Sequence, residues 1–102
     1  MRAYVVVEIT IHDPETYDRY KTLAPASIAT YKGKYLVRGA KTTTLEGTWD
    51  PKRFVILEFP SADAARNWWN SPEYAPAKAL RRSCATTEML LVEGPEFDPA
   101  KG

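Results

Sequence analysis

Few side chains in this sequence could carry chemistry, and their spacing narrows what that chemistry could be. His12 is the single histidine, and histidine titrates near neutral pH without a perturbed environment. It follows an apolar run and precedes Asp13-Pro14-Glu15, a place from which it could move a proton, although a lone loop histidine is more often structural. Glu46, before Gly47 in a threonine-rich stretch, could act as a general base or be a solvated turn residue. Arg38, in Tyr-Leu-Val-Arg-Gly, has another use. A planar guanidinium grips a carboxylate through parallel hydrogen bonds, so it would orient an anionic substrate and not exchange a proton. Cys84 is the only cysteine. One thiol closes no disulfide within the chain and builds no zinc site, so it reads as a small apolar filler. No second ligand is spaced to help His12, and neither phosphate-binding glycine loop occurs. We therefore expect no metal and no cofactor.

The elements that must position these residues follow from periodicity. Residues 3–11 are rich in β-branched side chains and apolar at every odd position, a strand with one fully apolar face. Asp13 then caps a helix with Pro14 at its first position. Tyr17, Tyr20, Ala24, Ile28 and Tyr31 form one face of that helix. Pro25 falls inside the pattern and predicts a kink or a split, and Gly33 is placed to close the helix in a left-handed conformation. Residues 34–39 read as a second strand, 40–52 as a loop, and 53–59 as a third strand. Ser61 caps a helix over 62–70. Ser71-Pro72-Glu73 repeats the start signal, so a further helical piece runs to about Arg82. Residues 86–94 make a fourth strand, and the tail 95–102 is expected to fray. The chain is thus one domain over 1–94. The order β-α-β-β-α-β is that of an α+β ferredoxin-like fold, an antiparallel sheet with its helices on one face.

The helices cover only that face, which the pattern assigns Val5, Val7, Ile9, Val55, Leu57, Phe59, Leu90 and Val92. The other face would keep Tyr4, Val6, Leu36, Phe54, Ile56, Met89 and Leu91. An uncovered apolar face of that extent predicts a homodimer packed sheet against sheet. The same face would carry Glu8, Arg38, Glu58 and Glu93, which need partners once buried. One reading is a polar pocket in an apolar cavity, the usual form of a small-molecule site. The other is a non-catalytic module in which Arg38 pairs with Glu8 or Glu58. Tyr20, Trp69, Tyr74 and Arg81 are further ligand-binding candidates. Trp68 and Trp69 point about 100° apart on a helix, so one can be core and the other line a rim. Arg81 shares a helix face with Tyr74, seven residues earlier.

Composition removes several function classes. Lysine and arginine number 14 against 13 aspartates and glutamates, a net charge of +1, with no excess for neutralising nucleic-acid phosphates. The one dense basic group, Lys78, Arg81 and Arg82, sits where cations complement the carbonyl end of a helix. One cysteine cannot hold an iron–sulfur cluster. No run is long enough for a signal-peptide core or a membrane span, so no membrane partner is expected and the cytosol is the expected compartment.

Three stretches carry a resemblance: Tyr31-Lys32-Gly33-Lys34-Tyr35-Leu36-Val37-Arg38-Gly39, Leu45-Glu46-Gly47, and Arg53-Phe54-Val55-Ile56-Leu57-Glu58-Phe59-Pro60-Ser61. With Trp68, Ser71-Pro72-Glu73-Tyr74, Arg81 and Val92-Glu93-Gly94, the chain resembles the domain-of-unknown-function 1330 family over residues 3–94. Lys32 and Ala40 stand where that family commonly has glycine. The resemblance implies a dimeric α+β barrel in which ferredoxin-like protomers pair through their sheets. It implies no particular activity, since relatives in that superfamily include cofactor-free monooxygenases, isomerases and ligand-sensing modules.

Overall fold

The computed structural model describes residues 1–94 and 99–101. Four strands, β1 (Ala3–Ile11), β2 (Lys34–Arg38), β3 (Arg53–Phe59) and β4 (Ala85–Glu93), alternate with α1 (Pro14–Thr30), α2 (Ala62–Trp69) and α3 (Ala75–Cys84). The sheet order is β2-β3-β1-β4, and every neighbouring pair is antiparallel. The expected frayed tail lies for the most part outside the described residues.

The local chemistry explains the element boundaries. Asp13 accepts a hydrogen bond from the Thr16 amide at 3.3 Å and one from the Thr16 hydroxyl at 2.6 Å, which satisfies the first turn of α1. Ser61 does the same for α2 through the Ala64 amide at 3.0 Å. Ser71 accepts from the Tyr74 amide at 3.0 Å and donates to the Trp68 carbonyl at 2.7 Å, so it ties α2 to the turn that opens α3. The core lies between the helices and the sheet. Trp68 anchors it, with its ring 5.4 Å from Phe59 and 4.2 Å from Tyr74. The Trp68 indole N–H donates to the Ser27 hydroxyl at 3.1 Å, which leaves that buried polar pair satisfied.

Several expectations need correction. Pro25 neither splits nor ends α1, which runs unbroken to Thr30. A proline lacks the N–H that would bond the carbonyl four residues back, here Lys21. That carbonyl is not orphaned, because the Arg38 guanidinium donates to it at 2.9 Å.

Gly33 does not take the left-handed position. Lys32 does, at φ 62°, and the amides of Lys32 and Gly33 bond back to Ala29 and Ile28 at 2.9 Å each, the usual closure of a helix end. Gly33 is small for another reason: a Cβ there would strike the Phe59 ring and Ile28.

The faces of β4 are the reverse of those expected. Leu91 and Met89 stand opposite Val5 and Val7 and face the helices. Leu90 and Val92 lie on the outer face, 66% and 46% exposed. Residues 89–92 are a continuous apolar run, so alternation could not choose between the faces, and the register with β1 decides. Glu93 pairs opposite Ala3 and moves to the helix side, where it meets Arg66 at 2.9 Å.

Finally, β2 contains an irregularity. Tyr35 stands opposite Leu57, but Val37 stands opposite Ile56 and Arg38 opposite Val55. One extra residue at this bulge turns Arg38 from the outer face to the helix side.

Candidate functional site

The bulge and Pro25 together deliver Arg38 to the mouth of a cavity between α1 and the sheet. Its guanidinium lies 4.6 Å from the Tyr35 ring centroid and holds the Lys21 carbonyl. The wall of this cavity includes Tyr17 and Tyr20 from α1, Tyr35 and Arg38 from β2, and Arg53 from β3. Arg53 stands opposite Ile9 on the helix-facing side, with its guanidinium 5.4 Å from the Tyr17 ring. Gly39, at φ 70°, makes room for it, since a Cβ there would collide with that guanidinium. The buried Nε of Arg53 has no hydrogen-bond partner among the described residues. The free space is about 20 Å³, on the order of one water molecule.

The phenols here are donors, not bases. Burial, above all, pushes the Tyr17, Tyr20 and Tyr35 hydroxyls above the ordinary tyrosine pKa. Arginines pull in the opposite direction at Tyr17 and Tyr35, Arg53 at the first and Arg38 at the second. The Tyr20 hydroxyl meets that of fully buried Tyr74 at 3.0 Å. Arg81 Nε donates to the Tyr74 oxygen at 3.3 Å, so Tyr74 links Tyr20 to Arg81. The residues on the cavity wall include no carboxylate and no histidine. The arrangement therefore suits recognition of an anion better than transfer of a proton.

The other candidates lie elsewhere. His12 is exposed, with Nε2 2.6 Å from the Thr86 hydroxyl at the far end of β1. Glu46 belongs to the exposed loop, in a groove that also touches Trp49 and Phe54. Glu8 accepts from the Trp49 indole at 3.2 Å on the outer face. Glu58, also on that face, approaches Lys34 at 3.4 Å and Arg2 at 4.0 Å. Neither glutamate pairs with Arg38 among the described residues, so the alternative of an Arg38–glutamate ion pair finds no support there. Trp69 lies outside the α1 cavity, beneath the Lys78 ammonium, which is 3.8 Å from its ring centroid. Burial raises the Cys84 thiol pKa, followed by the effect of Asp13, as suits an inert filler. Sequence reasoning overlooked Tyr35, and it overlooked Arg53 although parity offered the signal: residue 53 shares its face with Val55, Leu57 and Phe59.

This architecture is that of the ferredoxin-like α+β proteins, with a cavity between helix and sheet. The chain belongs to the family Domain of unknown function (DUF1330), which matches residues 2–95. No curated protein matches it in sequence. Among solved structures, it is similar to a protein of unknown function from Rhodopseudomonas palustris (TM-score 0.76, 16% identity, 94% of this chain and 84% of that one). It is also similar to SnoaB, a cofactor-independent oxygenase from Streptomyces nogalater (TM-score 0.64, 20% identity, 96% and 97%). A third is a dimeric ferredoxin-like protein of unknown function from Jannaschia sp. CCS1 (TM-score 0.64, 12% identity, 92% and 100%). At these identities the likeness shows the fold. No helix among the described residues is long and apolar enough to cross a membrane.

Proposed function

We propose that this chain works as a homodimer, paired through its outer sheet face, and binds a small aromatic carboxylate in the α1 cavity. The observation that carries the binding reading is the pair of guanidiniums in a tyrosine-walled cavity, neither of them matched by a carboxylate among the described residues. Arg38 and Arg53 would clamp the carboxylate, the tyrosine hydroxyls would donate to its oxygens, and the rings of Tyr17 and Tyr35 would stack on its body. The cavity is nearly filled, so binding must move something. Arg38 can exchange the Lys21 carbonyl for the ligand at little cost, since both are hydrogen-bond acceptors.

The dimer reading rests on the apolar outer face and on the dimeric state of the similar Jannaschia protein. If the site turns a substrate over, cofactor-free oxygenation, the activity of SnoaB, is the reaction to assay first. The wall supplies no general base, so such a substrate would have to lose its proton readily. His12 and Glu46 would act only if ligand binding or a second protomer brought them near the cavity.

The test is thermal shift and calorimetry with benzoate and substituted benzoates. Binding to the wild type is expected, weakened about tenfold or more by Arg38→Ala or Arg53→Ala, because a charge-assisted hydrogen bond is worth about 1.5–3 kcal/mol. Absence of binding by any of these acids, or variants that bind as well as the wild type, would sink the reading.

A further inference from the structure

Helix α3 carries three cations, Lys78, Arg81 and Arg82. No ion pair joins Lys78, Arg81 or Arg82 to a carboxylate among the described residues. The helix dipole accounts for basic residues in a last turn, here Arg81 and Arg82, but not for Lys78, which lies earlier and donates to the Trp69 carbonyl at 2.9 Å, nor for the sharing of one aromatic ring by Lys78 and Arg82. The Lys78 ammonium lies 3.8 Å and the Arg82 guanidinium 5.6 Å from the Trp69 ring centroid. Nor does the dipole explain burying Arg81 to 5% exposure with the neutral Tyr74 hydroxyl as its side-chain partner. A buried charge without a counter-charge is costly.

Beside these cations, Arg81, Arg82 and Thr87 line a cleft of about 300 Å³ between α3 and β4. The Thr87 hydroxyl oxygen is buried with no partner among the described residues. Trp69 and Met89 form part of the cleft wall and also line a second groove of about 250 Å³. That groove is mostly apolar and continues along Val5, Trp68 and Leu91.

We propose that the cleft and the groove form one site for an amphiphilic anion, a carboxylate on an alkyl chain. The carboxylate would sit against Arg81 and Arg82, with Lys78 nearby, and the chain would lie in the groove past Met89. Methionine is unbranched and adaptable, which suits a wall shared by two compartments. Loss of hydration, then repulsion from Arg82 and Arg81, holds the Lys78 ammonium below its ordinary pKa. A bound anion would relieve that repulsion. The groove shares Trp68 and Met89 with the wall of the α1 cavity, but the cations of the cleft are different ones, Arg81 and Arg82 in place of Arg38 and Arg53.

Octanoate is the probe, with octanol as its uncharged counterpart, read by calorimetry and by the Trp69 indole resonance in a two-dimensional NMR spectrum. Octanoate is expected to bind and to shift the Trp69 signal. Lys78→Gln/Arg82→Gln should weaken it by about tenfold or more, in line with lost charge-assisted contacts, while benzoate binding stays unchanged. Leu91→Trp, which fills the groove at a residue that does not line the α1 cavity, should weaken octanoate as well and keeps the question decidable if the double variant does not fold. The proposal is overturned if octanoate does not bind, if octanol binds equally well, or if Arg38→Ala abolishes octanoate binding while the double variant does not.

Discussion

Arg38 illustrates how a side chain acquires a role from a defect in a neighbouring helix. Pro25 withholds the amide that Lys21 would otherwise accept, and the guanidinium fills the vacancy. The contact should therefore depend on the proline. In Pro25→Ala the helix regains its own donor, and Arg38 loses its monopoly on that carbonyl. Urea unfolding of the two single variants and the double variant measures this as a coupling energy. Arg38→Ala is expected to cost about 1 kcal/mol in the wild type and distinctly less beside Pro25→Ala. Equal costs in both backgrounds would mean that the Lys21 contact contributes nothing. Little of this was legible beforehand. Pro25 was visible as an irregularity, and Arg38 as the best anion anchor, but their meeting needs a β-bulge that nothing in Tyr35-Leu36-Val37 announces.

At the scale of elements, α1 and α3 meet through the Tyr20–Tyr74–Arg81 relay over the cavity, and this packing carries a pH dependence. Burial raises the Tyr20 hydroxyl above its reference value of 10.0, and burial likewise raises Tyr17 and Tyr35. The folded protein therefore holds these protons when the unfolded chain has begun to lose them. Linkage then makes stability full below pH 10 and lets it decline as pH rises beyond it. Tyr20→Phe should cost some stability at neutral pH, through the lost hydrogen bond to Tyr74, yet flatten the alkaline decline. Urea midpoints between pH 8 and 11.5 would check it, and an unchanged slope would show that the Tyr20 proton is not held by the fold.

The elements themselves were the most readable part of the sequence. Residues 3–11 and 53–59 alternate over a full strand, and Asp13, Ser61 and Ser71 mark their turns by hydrogen-bonding chemistry that acts locally. What escaped was non-local. The face of β4 depends on pairing with β1, and the left-handed Lys32 is forced by a helix end that glycine would have closed more easily.

For the whole molecule, the outer face of the sheet is the unresolved element of stability. Tyr4, Val6, Phe54 and Ile56 lie half-buried there, while Leu36, Leu90 and Val92 are 47%, 66% and 46% exposed. Trp49 reaches over it from the loop, with its ring 5.8 Å from Phe54 and its indole on Glu8, but it covers one end only. On β4, Leu90 and Val92 take the places expected for Met89 and Leu91 on this face, and the β2 bulge takes Arg38 off it. Removing the arginine takes away a positive charge that sheet-to-sheet pairing would have had to bury. Glu58 already has Lys34 and Arg2 at the rim, whereas Glu8 and Glu88 stand opposite each other on this face and are the charges that pairing must accommodate. Leu90 offers a clean probe, since a residue that exposed tolerates a polar substitution in the protomer. Leu90→Asp should leave the fold intact by circular dichroism but weaken dimerisation on the order of a hundredfold, because pairing would then bury an unmatched carboxylate. Sedimentation velocity distinguishes the outcomes: a wild-type dimer that becomes a folded monomer supports pairing through this face. A wild-type monomer, or a variant that remains fully dimeric, removes this face from the assembly.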